Sequence, residues 1–144
     1  MSKTSIHFFY QTNGFSFRNR NLVKDFLRDL LKREQTQATE IRVIFCTDDQ
    51  LLEINRQFLN HDYYTDIITF NLSAKREPVN AELYLSIDRI KDNAQSANTT
   101  FKRELHRVIF HGVLHLCGYN DKSSQQIKRM REREDHYLRL YFGP

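Results

Sequence analysis

The chemistry of this chain is concentrated in His111-Gly112-Val113-Leu114-His115-Leu116-Cys117-Gly118-Tyr119-Asn120-Asp121. Two histidines four residues apart lie on one face of a helix, one imidazole above the other. Two rings so placed can share one metal ion. Gly118 is a natural helix stop, since glycine takes the left-handed conformation without a Cβ penalty. Tyr119 and Asn120 let the chain turn, and Asp121 arrives with a carboxylate. Two nitrogens and one oxygen leave a fourth position open on a zinc-like ion, and open positions are where metals activate water.

The spacing is similar to that of a zincin helix followed by the third ligand of the metzincin proteases, His-Glu-x-x-His-x-x-Gly-x-x-His. Gly112 stands where those proteases carry their general base. Ordinary peptide hydrolysis therefore lacks its proton acceptor. The block more closely resembles the signature of the YbeY family of bacterial metal-dependent endoribonucleases, His-Gly-x-Leu-His-x-x-Gly-Tyr-Asp-His. Both histidines, both glycines and Tyr119 match. The family's Asp-His pair is Asn120-Asp121 here, so the third ligand position carries aspartate, a legitimate zinc ligand.

Two further blocks follow the family's order. Asn55 to Phe70 resembles Asn-x-x-Tyr-Arg-x-x-Asp-x-x-Thr-Asp-Val-Leu-Ser-Phe, with Asn55, Asp62, Thr65, Asp66 and Phe70 in register. The arginine of that pattern, functional in the family, is Leu59. Ala81-Glu82-Leu83-Tyr84-Leu85-Ser86 is similar to the family's Gly-Glu-Ile-x-Ile-Ser strand. The resemblance implies a zinc-dependent endoribonuclease of single strands in rRNA maturation, with 16S rRNA 3′ end processing and ribosome quality control as its setting. It implies one Zn2+ held by His111, His115 and Asp121. Ribosomal RNA, with a ribosomal subunit or ribosome-associated proteins, is the expected partner; no membrane or dinucleotide is expected. Arg56, three residues before Leu59 and on its face if the segment is helical, and His61, two residues after it, are the candidate catalytic replacements for the missing cation. Two alternatives stand beside this reading. One is a metal-dependent amide hydrolase on a zincin frame. The other is a non-catalytic ribosome-associated factor with a structural metal.

The elements that must position these residues are legible from periodicity. Ser5 to Tyr10 reads as a strand. Asn19 to Glu34 carries Leu22, Phe26, Leu27, Leu30 and Leu31 at helical spacing. Thr39 to Cys46 is a strand apolar on both faces, hence central. Asp48 or Asp49 can cap a helix running to about Phe58. Asp66 to Asn71 and Glu82 to Ser86 are strands, with a loop at Lys75 to Asn80 around Pro78. Asp88 to about Asn98 is a short helix. Thr99 or Thr100 caps the metal helix, which runs to Cys117 and is apolar on most of its circumference. Ser123 caps a last helix ending near Leu140. The class is α+β: one domain spanning 1–144, a four-stranded mixed sheet with helices packed on it.

Composition agrees. A chain of 144 residues, 40% hydrophobic, suits one core. No stretch approaches the ~18 apolar residues of a membrane span. The start has no apolar signal region, and Cys46 and Cys117 are too few for a disulfide framework, so a reducing cytoplasm is expected, with both thiols in the core. Residues 1–100 hold 13 basic and 13 acidic side chains; residues 101–144 hold 9 and 5. The whole positive excess of +4 thus lies in the third that carries the metal block, a surface suited to a polyanion. His106, about 140° around the helix from His111, should not join the metal. His7 reads as a strand residue and His136 as surface. Glu104 shares the face of His111 two turns back and should pair with an arginine.

Overall fold

The computed structural model describes residues 3–144. Within these residues, five helices and four strands follow one another as β1 (Ser5–Tyr10), α1 (Arg20–Arg33), β2 (Ala38–Cys46), α2 (Asp48–Leu59), β3 (Ile67–Asn71), β4 (Val79–Ser86), α3 (Ile87–Ser96), α4 (Phe101–Leu116) and α5 (Ser124–Phe142). The strands form one sheet in the order β1-β2-β4-β3. β1, β2 and β4 are parallel, and β3 runs antiparallel to β4. This is the mixed four-stranded α+β sheet expected. β2 is internal, and Val43, Ile44, Phe45 and Cys46 are buried on both of its faces. Among the described residues, no helix is long and apolar enough to cross a membrane.

Several boundaries differ from those read in the sequence, each for a local reason. α2 is capped by Thr47, not by Asp48 or Asp49. The Thr47 hydroxyl accepts from the Gln50 amide and the Gln50 side chain accepts from the Thr47 amide, a reciprocal capping box. Asp48 and Asp49 fall in the first turn, where carboxylates suit the helix dipole. β4 begins at Val79, so the expected loop loses Val79 and Asn80 to the sheet. A bulge around Thr39 lets Val79 pair with Ala38 and Asn80 with Glu40. Ser86 caps α3, which ends at Ser96, and Thr100 caps α4. α5 runs on to Phe142, past the expected Leu140.

α4 is the helix around which the rest is arranged. It packs on β3 and β4 and against α1, α3 and α5. Val108, Ile109, Phe110, Val113 and Leu114 are buried. Burying each such side chain contributes about 1.5–3 kcal/mol before entropy. The helix approaches the sheet most closely at Gly112. A Cβ there would lie 2.6 Å from Ile67 Cδ1 and 3.2 Å from Leu83 Cδ1. The absence of a side chain at 112 therefore sets how closely α4 lies on the sheet. With Gly112 facing the sheet, helix geometry puts His111 and His115 on the flank beside that contact.

Candidate metal centre

α4 places His111 and His115 one turn apart, and the turn after it brings in the third group. The helix closes as Gly118 donates its amide to the His115 carbonyl and Tyr119 to the Leu114 carbonyl. Gly118 has φ 104°, a conformation that favours glycine. Asp121 then turns back over the helix end. A second capping box, between Ser123 and Gln126, starts α5 directly behind it.

Three atoms converge. His111 Nε2 and His115 Nε2 are 3.0 Å apart, and Asp121 Oδ2 lies 3.3 Å from the first and 3.2 Å from the second. The other ring nitrogens decide what these atoms are. His111 Nδ1 is 2.6 Å from Glu134 Oε2, and a carboxylate only accepts. His115 Nδ1 is 2.8 Å from the Tyr119 carbonyl, which also only accepts. Each Nδ1 therefore carries the hydrogen. In a neutral ring each Nε2 is then a lone pair. Two lone pairs and a carboxylate at hydrogen-bonding separation repel one another unless a cation lies between them.

The donor set fits such a cation. Ligands at ~2.0–2.1 Å around a tetrahedral ion stand about 3.3–3.4 Å from one another, close to the separations found. Two imidazoles and a carboxylate are ligands of zinc and its neighbours. Among the described residues, these three are the group of metal-ligating side chains that converges in this way. Buried partners of ligating histidines typically fix ring orientation and tautomer, and Glu134 has that position here. Burial pulls the His111 imidazole pKa down, but Glu134, Asp121 and Asp66 overcome this and hold it above its ordinary value. The site attracts positive charge.

Glu134 was not visible as a site residue in the sequence. It lies in a charged run, Arg131 to Asp135, that reads as a solvated face. Yet its side chain is only 4% exposed. Its Oε1 accepts from Arg107 at 3.0 Å and from Arg131 at 3.2 Å. The signal that could have found it is periodicity: Met130, Glu134, Tyr137 and Leu138 form the buried stripe of α5. A glutamate on an apolar stripe needs a partner. Arg107 also reaches Asp135 at 2.8 Å and Glu104 at 3.7 Å, the arginine pairing expected for Glu104. Burial raises the Glu104 carboxyl pKa, with Arg107 opposing it. Asp66 also faces this region; burial raises its pKa, with the nearby His111 opposing. Its Oδ2 accepts from Asn93 at 3.2 Å.

The triad sits between two depressions. On one side lies a pocket of about 330 Å³, shared by His111 and Asp121 with Asp66, Arg107, Arg131 and Glu134. On the other lies a groove of about 710 Å³, where Leu59, His61, Tyr63 and Lys122 face the triad. His61 is thus in the groove. Arg56 is not. Asn55 and Leu59, four residues apart, present one face of α2 to the groove, and Arg56 is turned ~100° from Asn55. Its guanidinium is held outside by Asp62 at 2.5 Å and Glu53 at 4.0 Å. Arg56 and Leu59 lie about 60° apart on α2, but Asn55 and Leu59 line the groove and Arg56 stands on the flank outside it.

The other histidines and the thiols lie elsewhere. His106 is buried in an aromatic nest of Phe17, Phe110, Tyr141 and Phe142. His136 is only lightly buried on α5, and His7 stands on β1 as expected. Cys46 and Cys117 are unpaired thiols, pushed up to about 11 by burial. Cys117 is only half-buried, beside the helix end, rather than in the core as expected.

Comparison with known proteins decides the family. The family model described as Endoribonuclease YbeY matches residues 6–141. The chain belongs to the YbeY family. Among curated YbeY relatives, the Endoribonuclease YbeY of Cytophaga hutchinsonii is 44% identical over 140 residues, covering 97% of this chain and 98% of that protein. That of Flavobacterium johnsoniae is 40% identical over 136 residues, covering 94% and 96%. A solution structure of TM1509 from Thermotoga maritima superposes with TM-score 0.69 at 29% identity, covering 96% of this chain and 89% of that one.

Proposed function

We propose that this YbeY-family chain is a metal-dependent endoribonuclease, with one zinc ion held by His111, His115 and Asp121. The observation that carries the reading is the inward pair of imidazole lone pairs beside a carboxylate, in a chain whose relatives are named endoribonucleases. When bound, such an ion supplies Lewis acidity, polarising a phosphoryl oxygen and acidifying water.

The protein's own residues do the rest. Glu134 keeps the His111 hydrogen on Nδ1, and the Tyr119 carbonyl does the same for His115. Each ring then turns an Nε2 lone pair toward Asp121, the state in which it can ligate a metal. In-line displacement at a phosphodiester spreads negative charge over the non-bridging oxygens, and cations beside them lower the barrier. Leu59 cannot serve. Lys122, adjacent to Asp121 in the groove, and Arg131, 60% exposed at the rim of the neighbouring pocket, are placed to do so. His61 can donate from the groove wall. Arg56 joins them only if substrate draws it from Asp62.

The sides of the centre favour a nuclease over an amide hydrolase. The zincin base position is Gly112, where Ile67 and Leu83 leave no room for a carboxylate. A closed structural site would have a fourth protein donor, whereas three donors converge here among the described residues. The substrate we infer is single-stranded ribosomal RNA, on the ribosomal subunit or with ribosome-associated proteins, in the cytoplasm. The test is cleavage of a labelled single-stranded RNA carrying the 3′ end of 16S rRNA. Cleavage should be lost on chelation and return with zinc. Cleavage unaffected by thorough chelation, with metal content verified as nil, would refute the reading.

A further inference from the structure

The groove that the triad lines also carries an aromatic pair, Tyr63 and His61. Tyr63 and His61 stack with ring centroids 5.1 Å apart and planes 21° from parallel. The Tyr63 hydroxyl and His61 Nδ1 are 3.0 Å apart, which ties the rings together. The loop beneath them is anchored at both residues. The buried Asn55 side chain donates to the Tyr63 carbonyl at 2.8 Å, and the His61 amide donates to the Asn55 carbonyl at 3.1 Å. With one face on His61, Tyr63 is still 56% exposed. Its neighbour Tyr64 is committed elsewhere, its hydroxyl on Asp49 and its ring under Arg89. Tyr63 is therefore a rigid aromatic ring with a free face, in the same groove as His111, His115 and Asp121.

We propose that Tyr63, backed by His61, is a stacking platform for one unpaired nucleobase of the RNA strand beside the metal centre. The proposal rests on the endoribonuclease reading and adds a base subsite to it. The surroundings suit a base face. Leu59, 40% exposed, gives the same groove an apolar surface. The cationic side chains that suit phosphates lie across the triad, at Arg107 and Arg131, and at Lys122 on the groove rim. A strand crossing the centre would thus put a base on Tyr63 and its backbone toward the arginines. Preorganised rings hold bases without regard to their identity, because every base has a π-face. A paired base offers no free face, so the platform selects single strands over duplex.

The experiment is fluorescence anisotropy with the full chain and a 5′-labelled single-stranded RNA dodecamer, in chelator so that the strand stays intact. Four proteins are compared: wild type, Tyr63→Ala, Tyr63→Phe and His61→Ala. Tyr63→Ala should weaken binding about tenfold or more, the usual effect of losing one base–aromatic stack. Tyr63→Phe, which keeps the ring, should recover most of it. A scan of single abasic sites along the dodecamer should find one position that weakens wild type but adds nothing to Tyr63→Ala, since the two changes remove the same contact. Unlabelled duplex of the same sequence should compete poorly. If wild type binds single-stranded RNA but Tyr63→Ala binds it equally, the platform is overturned and the endoribonuclease reading stands. If Tyr63→Ala weakens binding but every abasic site is additive with it, the ring does not hold a base and the proposal is likewise overturned. If wild type binds neither strand nor duplex, both in chelator and with zinc restored and an uncleavable 2′-deoxy strand, the platform and the endoribonuclease reading both fail.

Discussion

Replacing Glu134 by glutamine isolates the contribution of the carboxylate behind His111, which is not one of the three converging donors. The carboxylate receives three donors. Oε2 takes the His111 Nδ1 hydrogen at 2.6 Å, and Oε1 takes Arg107 at 3.0 Å and Arg131 at 3.2 Å. Glutamine offers one accepting oxygen and one donating amide, so one side must face a donor with a donor. If the amide turns to the arginines, it meets two guanidinium groups. If it turns to His111, the ring must accept at Nδ1 and carry its hydrogen on Nε2, the atom that should hold the metal. Either way the binding-competent state is less populated. Losing such a partner of a ligating histidine typically costs 10–100-fold in metal affinity. That is about 1.4–2.7 kcal/mol. The assay is competition for zinc against a chromophoric chelator, with circular dichroism to establish that the variant folds. Glu134→Gln should bind zinc 10–100-fold more weakly, and Glu134→Asp less weakly than that. A folded Glu134→Gln protein with zinc affinity within threefold of wild type would refute the reasoning.

Other changes test the scaffold. Gly112→Ala sets a Cβ against the flexible end of Ile67. Overpacking of about 1–3 kcal/mol is partly offset by ~1 kcal/mol of helix propensity, so denaturant titration should show a loss of about 0–2 kcal/mol. Gly112→Glu forces a carboxylate between α4 and the sheet. It should cost more than ~3 kcal/mol and give no amide hydrolysis; a variant as stable as wild type would contradict the close approach. His106 is neutral in its aromatic nest. Burial lowers its pKa, the Nδ1 hydrogen goes to the Lys102 carbonyl 2.7 Å away, and Nε2 has no partner among the described residues. The unfolded chain binds this proton below about pH 6.5 and the folded chain does so only at lower pH, so stability falls as pH drops through that window. His106→Phe should flatten this limb by at most about 1.4 kcal/mol per pH unit, measured by urea titrations between pH 7 and pH 5. An unchanged slope would mean that His106 binds its proton equally in the folded and unfolded chains, against the effect of burial.

The fold was largely legible because its signals are local. Helical spacing in α1 and α4, the doubly apolar β2 and the Ser123 cap each follow from a few neighbouring residues. Boundaries slipped where a partner distant in sequence decides, as when Ala38 draws Val79 into the sheet. The triad was legible because α4 and its Gly118 turn bring His111, His115 and Asp121 together within eleven residues. Glu134 was not, since it reaches His111 from another helix 23 positions on. That Arg56 stands outside the groove was hidden for a related reason. Helical spacing says which residues share a face, but packing of Asn55 against the Tyr63 loop decides which face meets the groove. The glycine at 112 was read as a missing base, and the packing of α4 on β3 and β4 gives it a steric role that one sequence alone does not express.

Metal stoichiometry tests the centre most directly. Protein purified without chelator, then loaded with zinc and desalted, is measured by elemental analysis beside the His111→Ala/His115→Ala double variant and Asp121→Ala. Wild type should retain one ion per chain. The double variant should retain almost none, and Asp121→Ala should hold the ion more weakly than wild type. A double variant that keeps one ion per chain would show that the converging donors of α4 are not the metal site.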